Sequence, residues 1–167
     1  MRLSIIAVVL SIGVLALFGA PARAHDGTID LTFTDWAQQT GDHFDADPWK
    51  GWIDVTVQNS STNVWGDFHF EICGATNVYF EMDPPPLVSS QSPTTWVIGT
   101  NPGGYSTLDA YFYDDPVMPG EIATFQIYTN NTAAQNAWFG VCMWPTPVPE
   151  PASLVLLALG ALLLRRR

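Results

Sequence analysis

Ile53-Asp54-Val55-Thr56-Val57-Gln58 sets an aliphatic side chain against a polar one at every step. Successive side chains of a strand point to opposite faces, so this stretch has one apolar face and one wet face. That is the pattern of a half-buried antiparallel strand. The same alternation recurs on either side. Ile29, Leu31 and Phe33 alternate with Asp30, Thr32 and Thr34, and Phe68, Phe70 and Ile72 with Asp67, His69 and Glu71. Shorter stretches at 77–82, 95–98, 108–113, 124–129 and 137–143 add five weaker strands. Asn59-Ser60-Ser61, Asp83-Pro84-Pro85-Pro86, Asn101-Pro102-Gly103-Gly104 and Pro119-Gly120 punctuate them with turn chemistry. No part of this region holds a helical period. Eight short strands separated by turns predict an all-β fold, an antiparallel β-sandwich of immunoglobulin-like or jelly-roll type.

Charge is distributed unevenly around this body. Five of the six basic residues (Arg2, Arg23, Arg165, Arg166, Arg167) stand at the two ends, and Lys50 alone lies between them. Fifteen of the sixteen acids, all but Glu150, fall in the body, which is therefore near −14 with neutral histidines. A surface so poor in cations cannot neutralise phosphates, which excludes nucleic-acid binding and disfavours phosphorylated substrates. Such a surface suits solubility by self-repulsion, attraction of divalent cations, or residence beside a polymer.

The ends read as processing segments. Met1-Arg2 is a positive n-region, residues 3–18 are apolar, and Ala22-Arg23-Ala24 is a small-x-small cleavage site. Residues 1–24 are thus expected to be a signal peptide, with His25 the first mature residue and 25–144 the acidic domain. Beyond the domain, prolines recur at 145, 147, 149 and 151. They predict an extended stalk over 145–151, because proline disrupts helix and sheet ladders alike. Residues 152–164 are apolar but for one serine and precede three arginines. Thirteen helical residues span about 20 Å, short of the roughly 30 Å hydrocarbon core, and snorkelling arginine stems extend the reach. The expectation is a short transmembrane helix with 165–167 as a basic cytoplasmic tail and the domain outside.

The series Pro149-Glu150-Pro151, apolar helix, Arg165-Arg166-Arg167 resembles the PEP-CTERM sorting signal. The resemblance implies recognition by an exosortase and removal of the tail near the triplet. It also implies passage from the inner membrane to the cell surface or an extracellular, polysaccharide-containing matrix.

Inside the domain, several groups are candidates for chemistry. Cys73 and Cys142 are the only cysteines, so in an oxidising compartment they predict one disulfide. Closing a loop that long contributes roughly 4 kcal/mol in the chain-entropy picture. His25 at a new N-terminus, with His69 and with His43 in the acidic stretch 41–48, would suit copper, a metal that imidazole binds well. Asp42, Asp45 and Asp47 crowd that same stretch and suggest calcium, though the spacing lacks the glycine and distal glutamate of an EF-hand loop. Ordinary surface histidines and aspartates are the simpler reading of both sets, and no cofactor is expected. All seven tryptophans lie in the domain, and Trp52 shares the polar parity of Asp54 and Thr56. Tyr111 and Tyr113 alternate with Ala110 and Phe112. Outward aromatic rings beside carboxylates are what sugars stack on and what interfaces are anchored by.

No serine lies in a Gly-x-Ser-x-Gly elbow, and no carboxylate pair stands out for glycoside cleavage. The expectation is a non-enzymatic exported protein with a structural or adhesive role. The competing readings are a carbohydrate-binding module for exopolysaccharide and a copper protein or oxygenase built on His25.

Overall fold

The computed structural model describes residues 27–45, 49–131 and 137–148. The strands run β1 Gly27–Phe33, β2 Gln39–Asp45, β3 Trp49–Asn59, β4 Trp65–Cys73, β5 Val78–Phe80, β6 Leu87–Ser89, β7 Thr95–Thr100, β8 Ser106–Tyr111, β9 Ile122–Asn131 and β10 Ala137–Pro147. They form two five-stranded sheets. The first has the order β1-β3-β9-β5, with β6 also on β9, and the second β2-β10-β4-β8-β7. Every pairing is antiparallel except that of β1 with β3. The described residues form the expected all-β sandwich.

The alternation seen in the sequence is what builds the core. Ile53, Val55 and Val57 of β3 and Phe125 and Ile127 of β9 turn inward from the first sheet. Phe68, Phe70 and Ile72 of β4, Leu108 and Ala110 of β8, and Val141 and Met143 of β10 meet them from the second. Phe125 joins the layers. Its ring stacks on Phe68 at 5.2 Å and meets Phe70 edge-on at 5.3 Å. Offset and edge contacts of this kind add to the area that each ring buries.

Two strands carry no apolar alternation and lie outside the expected eight. β2 was expected as an acidic loop holding Asp42, His43 and Asp45; it is a strand instead. Its inward positions are Gly41, His43 and Asp45, all buried, so the inner face presents no hydrophobic signal. Gly41 is required there, since a Cβ would fall 2.4 Å from the Ile29 side chain. β6 is three residues long behind a proline run and is too short to show a period.

A second correction concerns the stalk. Pro145 and Pro147 are part of β10, opposite Phe68 and Trp65 of β4. Proline survives in this strand because of parity. The Thr146 and Val148 N–H groups donate to Asp67 Oδ1 (3.1 Å) and Val64 O (3.0 Å), on the β4 side. The nitrogens of Pro145 and Pro147, which alternate with them, face the other side, where pairing with β2 has already ended at Met143–Gln39. A residue without an N–H is harmless on an open strand edge.

The signal peptide 1–24, His25, Asp47, the triplet 149–151, the helix 152–164 and the arginines 165–167 lie outside the described residues.

Candidate functional site

The outer face of the first sheet carries a groove of about 450 Å³, lined by residues that include Thr28, Asp54, Thr56, Ser90, Thr124 and Gln126. Its floor is the β3–β9 ladder, whose outward pairs are Trp52–Tyr128, Asp54–Gln126 and Thr56–Thr124 in succession. Thr28 of β1 extends the Asp54–Gln126 row on one side, and Val88 of β6 extends it on the other. The groove exists because these hydroxyl-bearing side chains are short, whereas the next pair along the ladder is aromatic. Trp52 and Tyr128 meet edge to face at 5.1 Å and 61°. Gln126 Nε2 donates to Asp54 Oδ1 at 2.8 Å, which fixes both planar groups on the floor. Beyond the aromatic pair, Asn130 donates to Tyr79 Oη (2.7 Å), and Lys50 pairs with Glu81 at 2.8 Å. The exposed parity of Trp52, Asp54 and Thr56 was legible in the sequence; their partners across β9 were not.

The outer face of the second sheet gathers the other candidate residues. His69 of β4 lies between two carboxylates. Its Nδ1 is 2.6 Å from Asp109 Oδ1 on β8, a hydrogen bond, and its Nε2 is 3.6 Å from Asp67 Oδ1, an ion-pair distance. The imidazole stacks on Trp144 of β10 at 5.3 Å and 20°. Asp67 also accepts from the Thr146 hydroxyl and, at 3.0 Å, from the Tyr113 hydroxyl. Tyr113 in turn stacks with Tyr111.

These contacts set the ionisation of the group. Burial pulls the His69 pKa down, but the two carboxylates outweigh it and hold the pKa above its usual 6.5. Burial likewise pushes the Asp67 carboxyl up, yet His69, Thr146 and Tyr113 together hold it below its usual 3.8. Loss of hydration and the bond to Asp67 push the Tyr113 phenol up to about 12. Both shifts favour the charged forms of His69 and Asp67, and the imidazole is seated on the Trp144 indole face. With each ring nitrogen turned to a carboxylate, His69 is fitted to holding three strands together.

The remaining histidine within the described residues is internal. His43 Nε2 is 2.9 Å from Asp45 Oδ1, and Asn131 Nδ2 donates to Asp45 Oδ2 at 2.7 Å. The His43 ring packs on Phe139 at 5.1 Å. This placement separates the proposed calcium ligands. Asp42 is exposed and Asp45 buried on opposite faces of β2, so they do not converge. Among the described residues, no group of three or more His, Cys, Asp or Glu side chains is arranged to hold a metal ion. Cys73 and Cys142 form a disulfide, which ties β4 to β10 with their Cα atoms 5.9 Å apart.

β10 leads directly into the C-terminal segment that carries the sorting series. Residues 147–167 match the family described as the PEP-CTERM protein-sorting motif. The motif therefore starts at Pro147, the final residue of β10. It implies an exported protein that passes through a membrane-anchored intermediate and is processed by an exosortase. No curated protein and no solved structure matches the chain.

Proposed function

We propose that this chain, which carries a PEP-CTERM sorting motif, is a non-catalytic adhesive or structural component of the cell surface or its extracellular matrix. The sandwich is the cargo, and the segment from Pro147 onward is its address. The observation that carries the reading is the junction itself. The motif begins on a strand whose end is bonded to the domain through Thr146 and Val148, so the first two residues of the motif belong to the body. The charge of the body supports the same reading. An acidic surface with one lysine stays soluble and does not adhere to nucleic acid or anionic lipid. Adhesion then falls to the uncharged and aromatic faces of the sheets, and the groove over β3 and β9 is a concave surface among the described residues.

The test is the intact mass of the protein in cells with and without the exosortase, together with its distribution between membrane and matrix. The processed form should lack the mass of the tail and appear in the matrix fraction. The unprocessed form should remain with the membrane. Equal masses in the two strains would end the reading.

A further inference from the structure

The groove on the first sheet bears features that select a class of ligand. Its floor is made of β3 and β9, each paired on both sides. No free backbone edge is offered there, which removes β-strand addition as a mode of binding. Its lining sets the hydroxyls of Thr and Ser side chains and the Asp54–Gln126 pair beside Val88. Val55 and Phe125, which also line it, are buried side chains of the core, so one exposed valine stands where an amphipathic helix needs a continuous apolar trough. Asp54 is the only ionisable side chain in the lining, no cation is present there, and the body around it is near −14. Polyuronates, sulfated chains and nucleic acids are therefore repelled.

What remains is a ligand with many hydroxyls, no charge and apolar faces. We infer that the groove binds an uncharged polysaccharide. The chain lies along the β3–β9 ladder, with one ring face against the Trp52–Tyr128 pair and its hydroxyls on Asp54, Gln126, Thr56 and Thr124. This inference rests on the adhesive reading above and names its ligand. Three outward pairs in line, each about 7 Å from the next by the strand repeat, give a track that takes a short run of sugar rings. Rigidity favours the site. Trp52 is braced by Tyr128, and Asp54 by Gln126, so little side-chain freedom is lost on binding. The bond from Gln126 occupies Asp54 Oδ1 and leaves Oδ2 to accept from a sugar hydroxyl.

Affinity electrophoresis of the purified full chain in mild detergent tests this. The probes are three uncharged polymers (hydroxyethylcellulose, dextran and a galactomannan) and the polyuronate alginate. At least one neutral polymer should retard the wild type, and alginate should not. Thr124→Arg, which fills the floor from an exposed position, and Trp52→Ala should each raise the polymer concentration for half retardation tenfold or more. Val97→Ala, on the opposite sheet, should leave it unchanged. Retardation by none of the neutral polymers overturns the inference. So does retardation unaltered in a Thr124→Arg protein that melts like the wild type. Sedimentation covers the remaining occupant: self-association abolished by Thr124→Arg would assign the groove to a second copy of the chain. None of these results alters the masses that test sorting, so the two readings fail separately.

Discussion

The His69 ring is held by charge on both sides, and its stability contribution follows from the signs of the shifts. A histidine whose pKa is raised on folding stabilises the fold below its unfolded value, near 6.5. That contribution is lost as pH rises through the higher folded value. Asp67 acts in the opposite sense. Its lowered pKa adds stability above 3.8, and this disappears as pH falls through the depressed folded value. The melting temperature should therefore form a plateau between the two limits. His69→Gln should flatten the alkaline descent and Asp67→Asn the acid one; a descent that survives His69→Gln would refute the assignment. A second residue-scale prediction concerns Asp45, 1 % exposed and bonded to His43 and Asn131. Asp45→Ala leaves buried donors facing a void and should cost about 3 kcal/mol in a denaturant titration. The pairs Asp67–His69 and His43–Asp45 lie two residues apart on single strands, but the other partners, Asp109 and Asn131, come from strands 40 and 86 residues away. Local patterning carries no information about such pairs.

At the level of strands, legibility tracked the inner face. β1, β3 and β4 announce themselves because Ile, Leu, Val and Phe recur at alternate positions, whereas β9 is weaker because Thr129 and Asn131 share its inner face with Ala123, Phe125 and Ile127. β2 hides because its buried positions are glycine, histidine and aspartate, stabilised by hydrogen bonds and close packing that a hydropathy pattern does not report. β10 misleads in another way. Its prolines read as a break, and only the sheet order shows that their nitrogens face an open edge. Moving the proline by one residue should expose this logic. Thr146→Pro removes both the N–H and the hydroxyl that donate to Asp67 and should cost about 2 kcal/mol or more, whereas Pro145→Thr should be nearly neutral. Chemical denaturation of the two variants compares them directly. The disulfide operates at the same level. Cys73 and Cys142 are 69 residues apart in sequence on adjacent strands, so reduction should lower stability by at most about 4 kcal/mol. The protein should then unfold at lower denaturant, with the sheets otherwise paired as before.

For the molecule as a whole, the excess of acid is the dominant long-range term. Within the body, fifteen carboxylates against one lysine repel one another across the surface, and salt screens that repulsion within about 10 Å at 0.1 M. The melting temperature should rise between 10 mM and 500 mM sodium chloride, and the protein should pass unretained through a heparin column. A melting temperature that falls with salt would mean that attractive pairs dominate instead. The sheet order also has a consequence for synthesis. β10 is the last strand in sequence yet an inner member of its sheet, with β2 and β4 on its flanks. A chain growing from its N-terminus cannot seal the sandwich until the residues just ahead of Pro147 have emerged. A product broken off earlier lacks an inner strand of the second sheet and the sorting motif as well. Completeness and dispatch are certified by the same short stretch of polypeptide.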